Sequence, residues 1–186
     1  MDKALLVIDY TYDFIADDGL LTCGKPGQEI EGAIVSLLEK FARENQYIVI
    51  ANDIHTEDDA YHPEGKLFPP HNVAGSKGRE LYGKVQGAAA GILNNIHPIA
   101  KTRYSAFAGT DLEIKLRERG IKEVHLVGVC TDICVLHTAI DAYNKGFEMV
   151  VYQDAVASFN QAGHEWALNH FKTTLGARVE KSQPLY

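Results

Sequence analysis

The chain alternates between two kinds of hydrophobic spacing. Apolar runs occur at Ala4–Ile8, Tyr47–Ala51 and Val124–Val129, and Phe147–Tyr152 reads as a further strand. They have the length and β-branched content of strands buried on both faces. Between them, apolar residues recur with helical period. Ile30, Ala33, Ile34, Leu37, Leu38 and Phe41 place an amphipathic helix over Glu29–Glu44, with its charges on the solvated face. Thr110 and Glu113 match a capping box, which starts a helix that runs to Arg119 and stops at Gly120. Ile133–Lys145 reads as a helix closed by Gly146, and Trp166–Phe171 lies in a last helix ending before Gly176. Shorter strands are expected at Pro98–Lys101 and, at an edge, Ala177–Val179. Strands alternating with helices imply parallel pairs and right-handed crossovers. The fold class is therefore α/β, a three-layer α/β/α sandwich on a mostly parallel sheet of five or six strands. The segment Thr56–Ala100 contains Pro63, Pro69 and Pro70 and holds only short helices; within it, Gly83–Asn95 shows no clear period beyond a helical turn at Ala88–Ala90.

Composition narrows the possibilities. With 186 residues, 46% of them hydrophobic, one domain spanning residues 1–186 is expected. A net charge of −7 supplies no basic surface for nucleic acid or anionic membrane. No apolar run approaches the roughly 20 residues of a membrane span. Met1–Ala4 leads almost directly into a strand, without the basic start and cleavage site of a signal peptide. Three cysteines, an odd number, point to free thiols in a reducing cytoplasm.

Polar groups cluster where the strands stop. Asp9 follows the first strand, Asp53 and His55 the second, Lys101 a third, and the turn Val129–Cys134 a fourth. In a parallel sheet these carboxyl ends form one rim, where open α/β folds place their sites. Cys134 is expected in the first turn of a helix, where free N–H groups and the dipole lower a thiol pKa. The competing reading is a packed core thiol, and the convergence on one rim favours a nucleophile. Asp53 and His55, two apart on an extended segment, point the same way and can share an ion with His71 and Glu64. His62 and His97 read as solvent-exposed loop histidines. Asp132 reads as a helix-start residue capping N–H groups. Cys130 and Cys134 form a C-x-x-x-C pair, whose alternative reading is a redox or zinc role.

Asp9 with Phe14, the Asp53-Ile-His55 element, His71, Lys101 and the run Gly128–Val135 resemble the nicotinamidase/pyrazinamidase branch of the isochorismatase-like cysteine hydrolases. The likeness covers nearly the whole chain, and His62–His71 looks like the streptococcal type. The resemblance implies hydrolysis of nicotinamide through a cysteine thioester and leaves open whether pyrazinamide is also a substrate. It casts Cys134 as nucleophile, Asp9 as proton carrier and Lys101 as electrostatic partner. Backbone N–H groups of Cys130 and Cys134 would form the oxyanion hole beside a cis peptide between Val129 and Cys130. Asp53, His55, Glu64 and His71 would hold one divalent ion, zinc first, manganese or iron otherwise. Phe14, Phe68 and Tyr104 would wall the substrate ring. The family also implies a cytoplasmic homo-oligomer. Two other readings remain open: a sister hydrolase of a carbamoyl or ureido compound, and an inactive scaffold on the same fold.

Overall fold

A computed structural model describes residues 2–182; Met1 and the last four residues of the expected domain lie outside them. The strands are β1 (Lys3–Ile8), β2 (Tyr47–Asp53), β3 (Ile96–Lys101), β4 (Glu123–Val129), β5 (Glu148–Ala157) and β6 (Arg178–Glu180). They form one six-stranded sheet in the order β3-β2-β1-β4-β5-β6. Every pairing is parallel. The helices are α1 (Tyr12–Ile15), α2 (Lys25–Glu29), α3 (Glu31–Arg43), α4 (Gly83–Ala90), α5 (Leu112–Glu118), α6 (Leu136–Asn144) and α7 (Gln161–Thr173). None is long and apolar enough to cross a membrane.

Strand alternation divides the core in two. Ala4, Leu6 and Ile8 of β1 face a cluster completed by Leu116 of α5, Ala139 of α6 and Phe171 of α7. Leu5 and Val7 face the opposite cluster, with Ile34, Leu38 and Phe41 of α3 and Val85 of α4. Both faces of β1 and β2 are buried, which is why those strands read as unbroken apolar runs. Pro98 is tolerated because β3 is an edge strand.

Several boundaries differ from the sequence expectation. The unplaced Gly83–Asn95 stretch contains α4, whose Val85 and Ala89 are buried; its Gly- and Ala-rich sequence carries almost no amphipathic signal. Strand β5 continues five residues past Tyr152, through polar Gln153 and Asp154, to Ala157. Asp154 there accepts hydrogen bonds from the Ser182 amide and hydroxyl at 2.8 and 2.7 Å. The capping box does not form: Thr110 Oγ1 accepts from the Leu112 amide, but Glu113 turns away to Lys145 at 2.7 Å. The helix after β4 begins as a π turn over Thr131–Val135, with α6 starting only at Leu136.

Strand order reverses between β1 and β4, so the carboxyl ends of these neighbours frame the crevice where such sheets bind ligands. Their close approach there depends on Gly128. It pairs with Ile8 at φ +114°, a backbone region that L side chains rarely adopt, and a Cβ at this position would overlap the Ile8 carbonyl. Gly128→Ala should therefore cost about 4 kcal/mol or more in urea unfolding. A loss below about 1 kcal/mol would show that the two strands can part without harm.

Candidate active site

Four strand ends deliver the rim. Asp9, just beyond β1, has φ +54°, a left-handed conformation that Asp tolerates better than most residues. Its Oδ1 accepts the Asp53 amide at 2.7 Å, and its Oδ2 lies 2.7 Å from Lys101 Nζ. Lys101 sits opposite Asp53 in the β2–β3 register and also pairs with the Asp53 carboxylate. Asp9, Asp53 and Lys101 are all essentially inaccessible to solvent. Burial opposes the Lys101 ammonium, yet Asp53 and Asp9 beside it hold its pKa well above the ordinary range. Burial and then Asp53 push the Asp9 carboxyl up to about 7, against the pull of Lys101. Burial also opposes the Asp53 carboxylate, but Lys101 and His55 keep its pKa below the ordinary value.

Cys134 comes from the π turn after β4. Reactive atoms of Asp9, Asp53 and Cys134 lie within 4.8 Å of one another. The helix-start expectation of an acidic thiol is corrected here. Burial raises the Cys134 pKa well above its ordinary value, with Lys101 only partly opposing it. Cys134 is thus a neutral thiol at rest, beside a carboxylate able to take its proton. The Val129–Cys130 peptide is cis. The Cys130 carbonyl accepts from the amides of Ile133 and Val135 at 3.1 and 3.2 Å, the two that flank the Cys134 amide. Asp132 is no helix cap: it accepts the Ser158 hydroxyl at 2.6 Å and the Asn160 side-chain amide at 3.2 Å, tying the turn to the end of β5.

Asp53, His55, Glu64 and His71 offer ligand atoms that all lie within 4.8 Å of one another. His55 Nε2 is 3.9 Å from Asp53 Oδ2 and 4.0 Å from Glu64 Oε2, and His71 Nε2 is 3.6 Å from Glu64 Oε2. Ligands held about 2.1 Å from a tetrahedral ion stand roughly 3.4 Å apart, so a slight contraction suffices. Asp53 Oδ2, His55 Nε2 and His71 Nε2 are buried and have no hydrogen-bond partner among the described residues. Such groups are costly unless something binds them. His71 Nδ1 lies 2.8 Å from the Pro69 carbonyl, so the proton belongs on Nδ1 and the Nε2 lone pair is free to ligate. The donor set fits a divalent metal.

Phe14, Phe68 and Tyr104 line one pocket together with Cys130, Cys134 and His71, joining the thiol to the ligand cluster. Its free volume is only about 20 Å³, scarcely more than one water needs. Phe159, 52% exposed, is the wall residue nearest solvent.

The isochorismatase domain profile matches residues 3–183. The chain belongs to the isochorismatase family. Among solved members of the family, the nicotinamidase/pyrazinamidase PncA of Bacillus subtilis is 58% identical, with a TM-score of 0.95 over 97% of this chain and 100% of that one. The pyrazinamidase/nicotinamidase of Streptococcus mutans is 52% identical, with a TM-score of 0.93 over 96% and 99% of the two chains. The pyrazinamidase of Pyrococcus horikoshii, solved in complex with zinc, is 29% identical, with a TM-score of 0.84 over 97% and 99%.

This isochorismatase-family rim also uses residues that the sequence reading set aside. His62 is buried rather than a solvent histidine: its Nδ1 accepts the Glu64 amide at 3.3 Å and its Nε2 bonds the Thr102 carbonyl at 2.8 Å. It caps the 3₁₀ turn that presents Glu64. The sequence signal was Pro63 at the first helical position, which marks residue 62 as a cap. His97 is half-buried beside Asp111. Asp13, a buried carboxylate, accepts the Asn72 amide at 2.8 Å and so pins the residue after His71. Arg79 donates to the Asp53 carbonyl at 2.9 Å. Neither Asp13 nor Arg79 had a local signal, because each acts on a segment distant in sequence.

Adding zinc or manganese to chelator-treated protein should raise its melting temperature, since a ligand that binds only the folded state stabilises it. His71→Ala should abolish the rise. An undiminished rise in His71→Ala would place the ion elsewhere.

Proposed function

We propose that this chain is a nicotinamidase, releasing ammonia from nicotinamide and leaving nicotinate. The carrying observation is the meeting of Cys134, Asp9 and Lys101 with a four-residue ligand cluster across one small aromatic-walled pocket. Solved relatives more than half identical to it bear nicotinamidase and pyrazinamidase names.

The chemistry follows from the charges. Asp9 accepts the Cys134 proton as sulfur attacks the amide carbon. Lys101 stays cationic throughout, because two carboxylates hold its proton, and its charge stabilises the thiolate as it forms. The carbonyl oxygen becomes an oxyanion facing the amides of Cys130 and Cys134. The nitrogen leaves as ammonia, taking the proton that Asp9 carried, and a thioester remains on Cys134. Water then attacks the thioester, Asp9 takes a proton from that water, and nicotinate departs as the thiol re-forms. Asp9 thus shuttles one proton in each half-reaction, which suits a carboxyl held near neutrality.

Asp53, His55, Glu64 and His71 would hold a divalent ion, zinc first and manganese or iron otherwise, whose Lewis acidity anchors the pyridine nitrogen. Phe14, Phe68 and Tyr104, which line the pocket, would flank the ring.

Cys134→Ala should lower ammonia release from nicotinamide by at least about a thousandfold while the melting temperature stays within a few degrees. Retained turnover in that variant would remove the thioester mechanism. A clear preference for a non-aromatic amide across a small panel would remove the substrate assignment and leave the hydrolase.

A further inference from the structure

The proposed chemistry uses one of three free thiols. The other two meet each other. Cys23 Sγ and Cys130 Sγ lie 3.1 Å apart although 107 positions separate them in the chain. Both are buried, at 4% and 6% exposure, in the core cluster that holds Phe14, Ile15 and Val129. Cys134 belongs to the opposite cluster and lies beside Asp9. The C-x-x-x-C spacing therefore misleads: the partner of Cys130 is Cys23.

The surroundings of the pair point to chemistry rather than packing alone. Cys130 lines the same pocket as Cys134, so a small reagent that enters that pocket meets its sulfur. Cys23 is held by its amide, which donates to the Phe14 carbonyl at 2.8 Å, and the following Gly24 adopts φ +62°. A disulfide has sulfurs about 2.05 Å apart, so closure asks for only about 1 Å of approach.

We infer that Cys23 and Cys130 form a dithiol modification site that closes to a disulfide under a small two-electron thiol oxidant, a diazene or a low-molecular-weight disulfide. Two S–H bonds break and one S–S bond forms. Two electrons and two protons pass to the oxidant, giving a hydrazine from a diazene or two thiols from a disulfide. Closure draws Cys130 towards the Cys23 loop. The Cys130 amide, which faces the developing oxyanion, moves with it, so turnover slows while Cys134 stays a free thiol.

The test oxidises the full chain with diamide, caps remaining thiols with N-ethylmaleimide, and maps the linkage by mass spectrometry without reductant. A Cys23–Cys130 cross-linked peptide is expected, with Cys134 alone alkylated. Nicotinamide hydrolysis should fall about tenfold or more and return with dithiothreitol. Cys23→Ala, or Cys23→Ser should the first fold poorly, should keep its activity through the same treatment. A linkage involving Cys134, or three alkylated cysteines, overturns the site. A Cys23–Cys130 linkage with unchanged turnover, or a Cys23→Ala variant that loses activity as the parent does, overturns the rate control. The linkage map needs no substrate, so it stands or falls apart from the nicotinamidase assignment.

Discussion

A fully buried ammonium holds this rim together. Lys101 has no solvent contact, and removing such a charge from water costs several kcal/mol unless close partners replace the water. Asp9 and Asp53 are those partners, delivered by the neighbouring strands β1 and β2. The site nevertheless holds three buried carboxylates, Asp9, Asp53 and Glu64, against this one cation. That excess of acidic groups beside the ligand cluster suits a divalent cation. Burial first, and then Asp53 beside it, raise the Asp9 pKa to about 7 against the pull of Lys101. Metal cluster and catalytic carboxylate are therefore one electrostatic system. Asp53 belongs to both, with Oδ1 towards Lys101 and Oδ2 towards His55.

The sequence displayed the sheet and the rim because both leave local signatures. A strand buried on two faces must be continuously apolar, and its end is visible where a charged residue interrupts the run, as at Asp9, Asp53 and Lys101. Features set by distant contacts left no such trace. Strand β5 crosses Gln153 and Asp154, a polar pair that looks like a stop, yet Asp154 is satisfied by Ser182 from the far end of the chain. Helix α4 buries only Val85 and Ala89, too few apolar positions for its contact with α3 to be read from periodicity. Asp132 has the type and position of a helix cap, but Ser158 and Asn160 capture it first. His62 reads from the sequence as a solvated loop histidine, because the Thr102 carbonyl that holds its ring lies 40 positions away.

The thiol chemistry shows where local reasoning gives the wrong sign. A helix start predicts an acidic cysteine. Here the turn is π-helical and sealed on one side by the core, and desolvation of a thiolate outweighs both the turn's N–H groups and the nearby Lys101. The nucleophile must be made during the reaction rather than stored. That requirement gives Asp9 its place: a carboxylate of ordinary pKa would be a poor acceptor of a thiol proton, whereas one raised to about 7 is far better matched.

The turn after β4 also divides its two cysteines between the faces of the sheet. Gly128 brings β4 tight against β1, and the cis Val129–Cys130 peptide follows at once. Cys130 then enters the cluster of α3, while Cys134, four residues on, enters the cluster of α6. One sulfur thus reaches Asp9 and the other reaches Cys23, although the two belong to a single turn. Any pull on Cys130 is transmitted through four residues of backbone to the nucleophile, and Gly128 limits how far the strand beneath can yield. The close approach that assembles the catalytic groups also fixes the turn that carries Cys130 to Cys23.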